Sequence, residues 1–267
     1  MVRVEWMRGR SGRLALALMD RLGAWRLWER WLDPAMGRLL DGHTGAFVDV
    51  GVHVGQTLLK VKRLSPDTPY VGFEPNLPAL AQVETMVRRR GLAGCTFYPL
   101  ALGTSWGVAS LRSRGGDADP AASVVEGFRE RAFYSAARCV SLAAGDDVLA
   151  GAGHRPVAMI KIDVEGGELE VLQGLRQTLA GDRPPVLCEV LPVYDAAESR
   201  GAFRLQRQEE MEALLSDLDY RILRLQRDGN LLLQATIGVH GNLEQCDYLF
   251  LPVERLPDVE TLCRQAS

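Results

Sequence analysis

Four ionisable residues lie close together in the stretch IKIDVEGGE, residues 160–168: Lys161, Asp163, Glu165 and Glu168. Apolar and charged side chains alternate in its first six residues, which predicts a β-strand with Lys161, Asp163 and Glu165 on one face. A strand inside a parallel sheet is usually apolar on both faces. Because carboxylates and ammonium groups there can transfer protons, bind cations or hold one another in place, the stretch predicts a functional site.

Lysine is rare in this chain, which strengthens the case for Lys161. The sequence has 31 basic residues, and lysine occurs at Lys60, Lys62 and Lys161 alone. Lysine is a compact donor whose pKa shifts on burial, and arginine does not replace it in a tight site. A chance distribution is the alternative explanation. We expect Lys161 to pair with Asp163 or with Glu189, since a buried ammonium without a partner loses its charge.

A second set of residues with chemical potential follows an earlier apolar strand. Asp49, Gly51, His53 and Gly55 alternate with valines, and a helical segment comes next. Glycines in such a turn let a ligand approach the backbone, and the first turn of the helix offers free N–H groups to an anionic ligand group. Glu74 ends the next strand, 19 residues after Gly55, where an acid accepts hydrogen bonds from ribose hydroxyls.

The turn favours one nucleoside ligand over another. The dinucleotide-binding pattern G-x-G-x-x-G is absent, because His53 takes the place of its middle glycine. Asp49 stands just before the turn and would repel a pyrophosphate, whereas it suits the sulfonium or ammonium of S-adenosylmethionine. The sequence therefore favours S-adenosylmethionine over NAD. A nicotinamide-dependent oxidoreductase and a non-catalytic cofactor-binding domain of the same fold remain as alternatives.

The surrounding elements must bring these residues together. Apolar strands alternate with helical segments, which predicts an α/β doubly wound sheet whose ligands lie at the carboxyl ends of the strands. Residues 105–140 are expected to be irregular and to shape the pocket of an acceptor. Strands are predicted within residues 46–64, 70–76, 95–103, 157–167, 184–192, 220–234 and 246–252, and helices within 46–64, 77–91, 168–181 and 203–219.

The termini differ from the central region in pattern. Residues 1–42 show leucine and tryptophan at helical spacing with many arginines on the opposite face. Two interpretations stay open: a helix packed on the domain or acting as a lid, and peripheral membrane contact through residues 1–40. The predicted division is an N-terminal helical extension or lid at 1–45, an α/β domain at 46–255 and a C-terminal tail at 256–267.

Composition narrows the classes of function. The chain has 267 residues, 47% of them hydrophobic, with a net charge of −3, which argues against a nucleic-acid partner. Its five cysteines are odd in number and nowhere spaced as C-x-x-C, which indicates reduced thiols, a cytoplasmic location and no zinc site. No apolar run approaches the length of about 18 residues that a membrane-spanning helix needs.

Taken together, these segments resemble a known family. FVDVGVHVGQT, VGFEPN, IKIDVEGGE and a late DYLFLP are similar to the FkbM family of S-adenosylmethionine-dependent methyltransferases. The resemblance covers residues 46–192 well and extends loosely to 252. It implies a class I methyltransferase (Rossmann-like) fold with strand order 3-2-1-4-5-7-6, the last strand antiparallel. It also implies methyl transfer to a hydroxyl oxygen of a sugar or natural product, so the partner is a small-molecule or glycan acceptor.

The resemblance also implies roles for the cofactor-side residues. Asp49, Gly51 and Gly55 would form the loop beside the methionine part of the cofactor, and Glu74 would bind the ribose. Ala101 lies where the adenine edge is normally read by backbone groups. The acid that many methyltransferases use to bind the adenine amino group has no counterpart here.

The same resemblance places Asp163 beside the acceptor or the methionine ammonium. Asp163, His53 and Glu189 are then the candidates for the base that takes the acceptor's proton, and Lys161 would orient a carboxylate. His53 could instead contact the cofactor carboxylate. A divalent ion held by Asp163 and Glu189 is an alternative, although two carboxylates are few for such a site, so no metal is predicted. The oligomeric state is not predicted.

Overall fold

The structure is a computed structural model, and it describes residues 29–263. Its centre is an eight-stranded, mostly parallel sheet, and a smaller three-stranded sheet accompanies it. The strands of the large sheet are β1 (Ala46–Val50), β2 (Tyr70–Phe73), β3 (Cys95–Tyr98), β7 (Val157–Ile162), β8 (Val186–Glu189), β9 (Tyr220–Leu225), β10 (Leu231–Gln234) and β11 (Asp247–Pro252); those of the small sheet are β4 (Ala101–Gly103), β5 (Gly107–Ser113) and β6 (Ala136–Ala144).

The strand order confirms the predicted fold class. Along the large sheet the order is β10-β9-β11-β8-β7-β1-β2-β3. Without the edge strand β10, which forms a hairpin with β9, this is the order 3-2-1-4-5-7-6. The strand β11 runs antiparallel to both of its neighbours, as predicted, whereas β1, β2, β3, β7 and β8 pair in parallel.

Helices follow the strands as the sequence pattern predicts. One predicted helix is interrupted: residues 168–181 form two short helices that meet at Leu175. The helix Leu77–Arg90 ends at Gly91, which has the left-handed conformation common at the C-terminal end of a helix. The α-helices of the described part are α1 (Asp33–Leu40), α2 (Gln56–Leu64), α3 (Leu77–Arg90), α4 (Gly145–Gly151), α5 (Glu168–Gly174), α6 (Arg176–Gly181), α7 (Ser199–Asp217) and α8 (Leu256–Val259).

The large sheet is buried on both faces. Val48 and Ile160 point into one apolar cluster, which α7 covers, whereas Phe47 and Met159 point into a second cluster on the opposite face, which α2 covers. Lys161 lies two residues beyond Met159 and therefore on the same face. The usual apolar pattern of a parallel strand thus holds through most of β7 and gives way to charge at its carboxyl end.

The segment 105–140 differs from the expectation of an irregular loop. Its two ends form β5 and β6, which pair antiparallel over seven residue pairs, and the stretch between them is mostly irregular. Val108 is 78% exposed, and the first residues of β6 are exposed as well. Because these strands have no consistently buried face, their sequences lack the apolar alternation from which strands are recognised.

The N-terminal prediction is testable in part. Within the predicted helical region 1–42, α1 begins at Asp33 and has Pro34 in its first turn, where proline is favoured. The predicted helical, membrane-contacting or lid segment before residue 29 lies outside the described residues. Within the described residues, no helix has the length and apolar character that crossing a membrane requires.

Candidate active site

A cavity of about 840 Å³ opens at the carboxyl ends of β1, β2, β7 and β8. The turn after β1 forms one wall, and the residues that follow β7 form another. The segment between β5 and β6 closes the side away from the sheet. The predicted site residues that line the cavity are Gly51, His53, Glu74, Ala101, Lys161, Asp163 and Glu189. The sequence therefore predicted both the place of the cavity and much of its wall.

The turn after β1 is built on left-handed glycines. Gly51 has a φ of +91° and Gly55 a φ of +89°, conformations that glycine adopts without strain. A Cβ at Gly51 would lie 2.0 Å from the carbonyl oxygen of Asp163, so this turn packs directly on the chain leaving β7. Gly55 is the N-terminal cap of α2, whose first-turn residues Gln56 and Thr57 line the cavity.

Glu74 is held by backbone donors at the end of β2. The backbone N–H of His53 donates to Oε2 and that of Asn76 to Oε1, each at 2.8 Å. Burial raises the pKa of Glu74 to about 7, and these two hydrogen bonds oppose the rise. The carboxyl group therefore faces the cavity in a fixed orientation and titrates near neutral pH.

Lys161 and Asp163 form the ion pair that the sequence predicted. The ammonium of Lys161 donates to Oδ2 of Asp163 at 3.0 Å. Burial disfavours the charged ammonium, but the charges of Asp163 and Asp49 outweigh burial and raise the pKa of Lys161 above its usual value. The side chain of Asp163 keeps 34% exposure, so its carboxylate is held from one side and open on the other.

Asp49 lies below the cavity rather than on its wall. Its side chain is fully buried in β1, on the face of Lys161, with which it is in register. The hydroxyl of Tyr70 donates to Oδ2 of Asp49, whereas Oδ1 has no hydrogen-bond partner. Burial raises the pKa of Asp49 to about 6, against the opposing effects of Lys161 and Tyr70. The structure thus does not bring this acid to the cavity surface, where the sequence placed it.

His53 lies in the glycine turn with a φ of +51° and lines the cavity. Its Nε2 lies 3.4 Å from the carbonyl oxygen of Ala118, in the segment between β5 and β6. Burial lowers the pKa of His53, although that carbonyl and the nearby Asp163 and Asp119 favour the protonated form. The neutral imidazole therefore links the turn to the segment that covers it.

The remaining predicted residues that line the cavity are Ala101 and Glu189. Ala101 is buried at the start of β4, between Leu100 and Leu102, which also line the cavity. Glu189 is the last residue of β8. The cavity is thus lined from both sheets.

Sequence reasoning missed the charged residues that the β5–β6 segment adds. Arg114 forms a bidentate pair with Asp119, and Arg129 pairs with Glu165 beyond the end of β7. Both guanidinium groups lie within about 5 Å of the Phe133 ring centroid. The Gly/Asp/Pro-rich composition marked this segment as a functional loop, but no spacing pattern identified these side chains.

Three further residues of this region do not line the cavity. Trp106 is 63% exposed and donates to Asp147, and Phe128 is buried beneath Gly166. Glu168 is buried in the first turn of α5 and accepts a hydrogen bond from the backbone of Gly166. Among the described residues, no group of three or more His, Cys, Asp or Glu side chains is arranged to hold a metal ion.

Comparison with known proteins agrees with this architecture. The family model of the methyltransferase FkbM domain matches residues 49–222. No curated protein matches the chain.

Two solved structures are similar at low identity. The methyltransferase FkbM from Methylobacillus flagellatus KT is 16% identical with a TM-score of 0.49; the match covers 78% of this chain and less than half, 43%, of that one. The O-methyltransferase TomG from Streptomyces achromogenes, involved in tomaymycin synthesis and crystallised with S-adenosylmethionine, is 14% identical with a TM-score of 0.47, covering 83% and 78%.

Proposed function

The chain belongs to the FkbM family of methyltransferases, and from this premise we propose that it transfers a methyl group from S-adenosylmethionine to a hydroxyl oxygen of a sugar or another natural product. The observation that carries the proposal is Glu74, fixed by two backbone donors and facing the same cavity as the glycine turn and Asp163. A carboxylate held in this way can accept hydrogen bonds from both ribose hydroxyls.

The charge of the cavity supports this cofactor over a dinucleotide. Six carboxyl-bearing and three basic side chains line it within the described residues, an excess of three acids. S-adenosylmethionine carries a positively charged sulfonium and ammonium, whereas the pyrophosphate of NAD is negatively charged. The acids are Glu29, Glu74, Asp119, Asp163, Glu165 and Glu189, and the basic residues are Arg114, Arg129 and Lys161.

The cavity residues divide into cofactor-holding and acceptor-facing groups. In the proposed complex, the turn built on Gly51 and Gly55 lies beside the methionine part, and Glu74 holds the ribose. The backbone around Ala101 lies along the adenine edge. Asp49 lies beneath the turn, and its negative charge partly compensates the positive charge of Lys161 in the cavity wall.

The bound cofactor supplies a methyl group on an activated sulfonium, and the protein's part is alignment and proton transfer. Asp163 faces the acceptor hydroxyl and takes its proton as the oxygen–methyl bond forms and the carbon–sulfur bond breaks. Lys161 keeps this carboxylate oriented. His53, with its lowered pKa, is the second candidate for the base, and Glu189 at the end of β8 is the third.

Calorimetric titration tests the proposal directly. We expect S-adenosylmethionine to bind at sub-millimolar concentration and NAD not to bind. Glu74→Ala should weaken cofactor binding at least about tenfold, which corresponds to ~1.4 kcal/mol. Failure of S-adenosylmethionine to bind the folded protein would contradict the proposed function, and an unchanged affinity of Glu74→Ala would contradict the ribose role.

A further inference from the structure

The hydroxyl of Tyr70 is a buried polar group outside the cavity wall, and it contacts one of the acids under the site. Tyr70 is 1% exposed at the start of β2, and its hydroxyl donates to Oδ2 of Asp49. The rings of Tyr70 and Phe47 stack with centroids 5.9 Å apart. Because Phe47 and Asp49 are two residues apart on β1, all three side chains lie on one face of the sheet.

The strand register shows how far the Tyr70 side chain extends. Tyr70 is paired in register with Phe47, and Asp49 lies two residues further along β1, in register with Gly72. The phenol ring of Tyr70 therefore extends along the strands by two residues to place its hydroxyl at Asp49. Val52 and Phe97 fill the space that a Cβ at Gly72 would need.

The next contact in the chain of polar groups leads into the cavity. Asp49 is in register with Lys161 on the neighbouring strand β7, and Lys161 donates to Asp163 at the cavity wall. Tyr70, Asp49 and Lys161 are each buried, so their charges act on one another with little screening by water. A change at Tyr70 is therefore transmitted to Asp163 through two intermediate groups.

We propose that Tyr70 is a positioning residue of this site: its hydroxyl holds the charge of Asp49, which in turn keeps the Lys161 ammonium compensated beneath the cofactor. This inference rests on the proposed function for its effect on cofactor binding. Tyr70 does not touch the cavity. It acts as the sole hydrogen-bond donor to the Asp49 carboxylate within the described residues.

The ionisation states support this arrangement. Burial and the charge of Asp49 raise the pKa of Tyr70, so its hydroxyl remains a donor, while the pKa of Asp49 is about 6 and its carboxylate is charged at neutral pH. Without the hydroxyl, both oxygens of a buried carboxylate have no donor, which favours protonation. The other charged or titratable groups that act on Asp49 or Tyr70 are Lys161, Asp163, Glu74 and Cys95.

Loss of the Asp49 charge should weaken binding of a cationic cofactor. Lys161 then carries a positive charge that is less fully compensated, by Asp163 and Glu29 without Asp49, next to the sulfonium and ammonium of S-adenosylmethionine. The loss should be large where Asp49 is protonated in the variant and small where it is ionised in both proteins. A purely structural role for Tyr70 predicts instead the same loss at every pH.

The test compares Tyr70→Phe with Tyr220→Phe, a matched control whose buried hydroxyl donates to backbone carbonyls away from the cavity. In the ligand-free protein, carbon NMR should show the Asp49 carboxyl titrating about one pH unit higher in Tyr70→Phe than in the wild type. Calorimetry with S-adenosylmethionine should show affinity reduced by up to about threefold at pH 6.5 and nearly restored at pH 8.5. Tyr220→Phe should change neither the NMR midpoint of Asp49 nor the affinity for the cofactor.

A double mutant isolates the route through Asp49. In an Asp49→Asn background, Tyr70→Phe should leave the affinity within about twofold, because the charge on which it acts is gone. An unchanged NMR midpoint, an equal loss at both pH values or additive losses in the double mutant would each overturn the inference. If Tyr70→Phe does not fold, Asp49→Asn, which lacks the charge at every pH, must weaken cofactor binding at pH 8.5, or the inference fails.

The two proposals fail separately. Absence of cofactor binding by the wild-type protein contradicts the proposed function, and the NMR midpoint of Asp49 then still decides the role of Tyr70. If the wild type binds the cofactor normally, and Tyr70→Phe changes neither the affinity nor the NMR midpoint of Asp49, the inference about Tyr70 alone is overturned.

Discussion

At the scale of single residues, the rarity of lysine turned out to be informative. Lys60 donates to the carbonyl oxygen of Glu29, Lys62 to that of Thr68, and Lys161 to Asp163, at distances between 2.7 and 3.0 Å. Each lysine stands where a compact ammonium fits between nearby oxygen atoms. The sequence left Asp163 and Glu189 open as partners of Lys161, and the structure shows the hydrogen bond to Asp163.

The position of Asp49 was not predictable in the same way. Its place before the glycine turn suggested an acid facing the ligand, yet strand alternation turns its side chain onto the face of Phe47 and Lys161. Lys161 shares this face and register and lines the cavity, whereas the shorter side chain of Asp49 stays beneath the wall. How far the wall lies above this point is a property of the folded turn after β1, in which Gly51 packs on Asp163.

Removing the charge of Asp163 should separate cofactor binding from turnover. Asp163→Asn keeps the size of the side chain and its contact with Lys161 but cannot take a proton at neutral pH. We expect cofactor binding to remain measurable and methyl transfer to fall about 100-fold or more once an acceptor is available. The control is Asp147→Asn, an acid outside the cavity wall that binds Trp106. Turnover that survives in Asp163→Asn would exclude it as the base.

The pKa of Glu74 predicts a proton release on cofactor binding. Glu74 titrates at about 7 in the ligand-free protein, and the ribose hydroxyls need its ionised form as an acceptor. Affinity should therefore rise between pH 6 and 7.5 and level off above, with about half a proton released per cofactor near pH 7 and close to one below pH 6. Calorimetry in buffers of different ionisation enthalpy measures this. In Glu74→Gln the proton release that comes from this carboxyl group should vanish. If the full proton release persists, another group is responsible.

At the scale of elements, strands and helices with one clear apolar pattern were predicted well. The hairpin turn at Asp228-Gly229 and the helix before Gly91 illustrate this, because local turn and cap chemistry defines them. The strands β5 and β6 were not predicted, since their pairing joins distant residues and buries little apolar surface. Their arrangement depends on the sheet and helix against which the segment packs.

The helix α7 shows how such a segment is held. Arg204 donates to the carbonyl oxygens of Phe128 and Pro192, and Arg207 donates to that of Gly166. One helix face thus ties the β5–β6 segment to the chain ends of β7 and β8. Arginine on a mostly polar helix normally indicates a solvated face, so the sequence alone gave no reason to assign these contacts.

The contact between the glycine turn and the β7 exit predicts a sharp effect of one methyl group. Gly51→Ala places a Cβ where the Asp163 carbonyl oxygen stands, in addition to the cost of a left-handed alanine. Gly91→Ala is the matched control, with a φ of +62° and open space around the position. We expect Gly91→Ala to cost about 1–2 kcal/mol of unfolding free energy. Gly51→Ala should cost distinctly more and abolish cofactor binding; equal costs, from denaturant titration, would contradict the contact.

At the scale of the whole molecule, several buried groups make stability depend on pH. Burial raises the pKa of Glu74 and of Glu168 to about 7, well above the ordinary value for a glutamate. The folded state therefore binds more protons than the unfolded state, and stability falls as pH rises until the folded pKa is passed. Burial lowers the pKa of His53 and His240. These two groups make stability rise with pH, but their effect ends near the ordinary histidine pKa of 6.5.

Between pH 6.5 and 8 the two glutamates should therefore dominate, and the ligand-free protein should lose stability as pH rises. Near pH 7 each is about half protonated when folded, so the loss is about 1.4 kcal/mol per pH unit, or roughly 2–4 °C in melting temperature. Differential scanning fluorimetry measures it. Glu168→Gln should make the curve distinctly flatter. Glu254→Gln is the control, because hydrogen bonding to Arg183 lowers the pKa of Glu254 to about 2 and it does not titrate in this range. A wild-type melting temperature that rises over this interval would show that the buried carboxyls are not protonated as described.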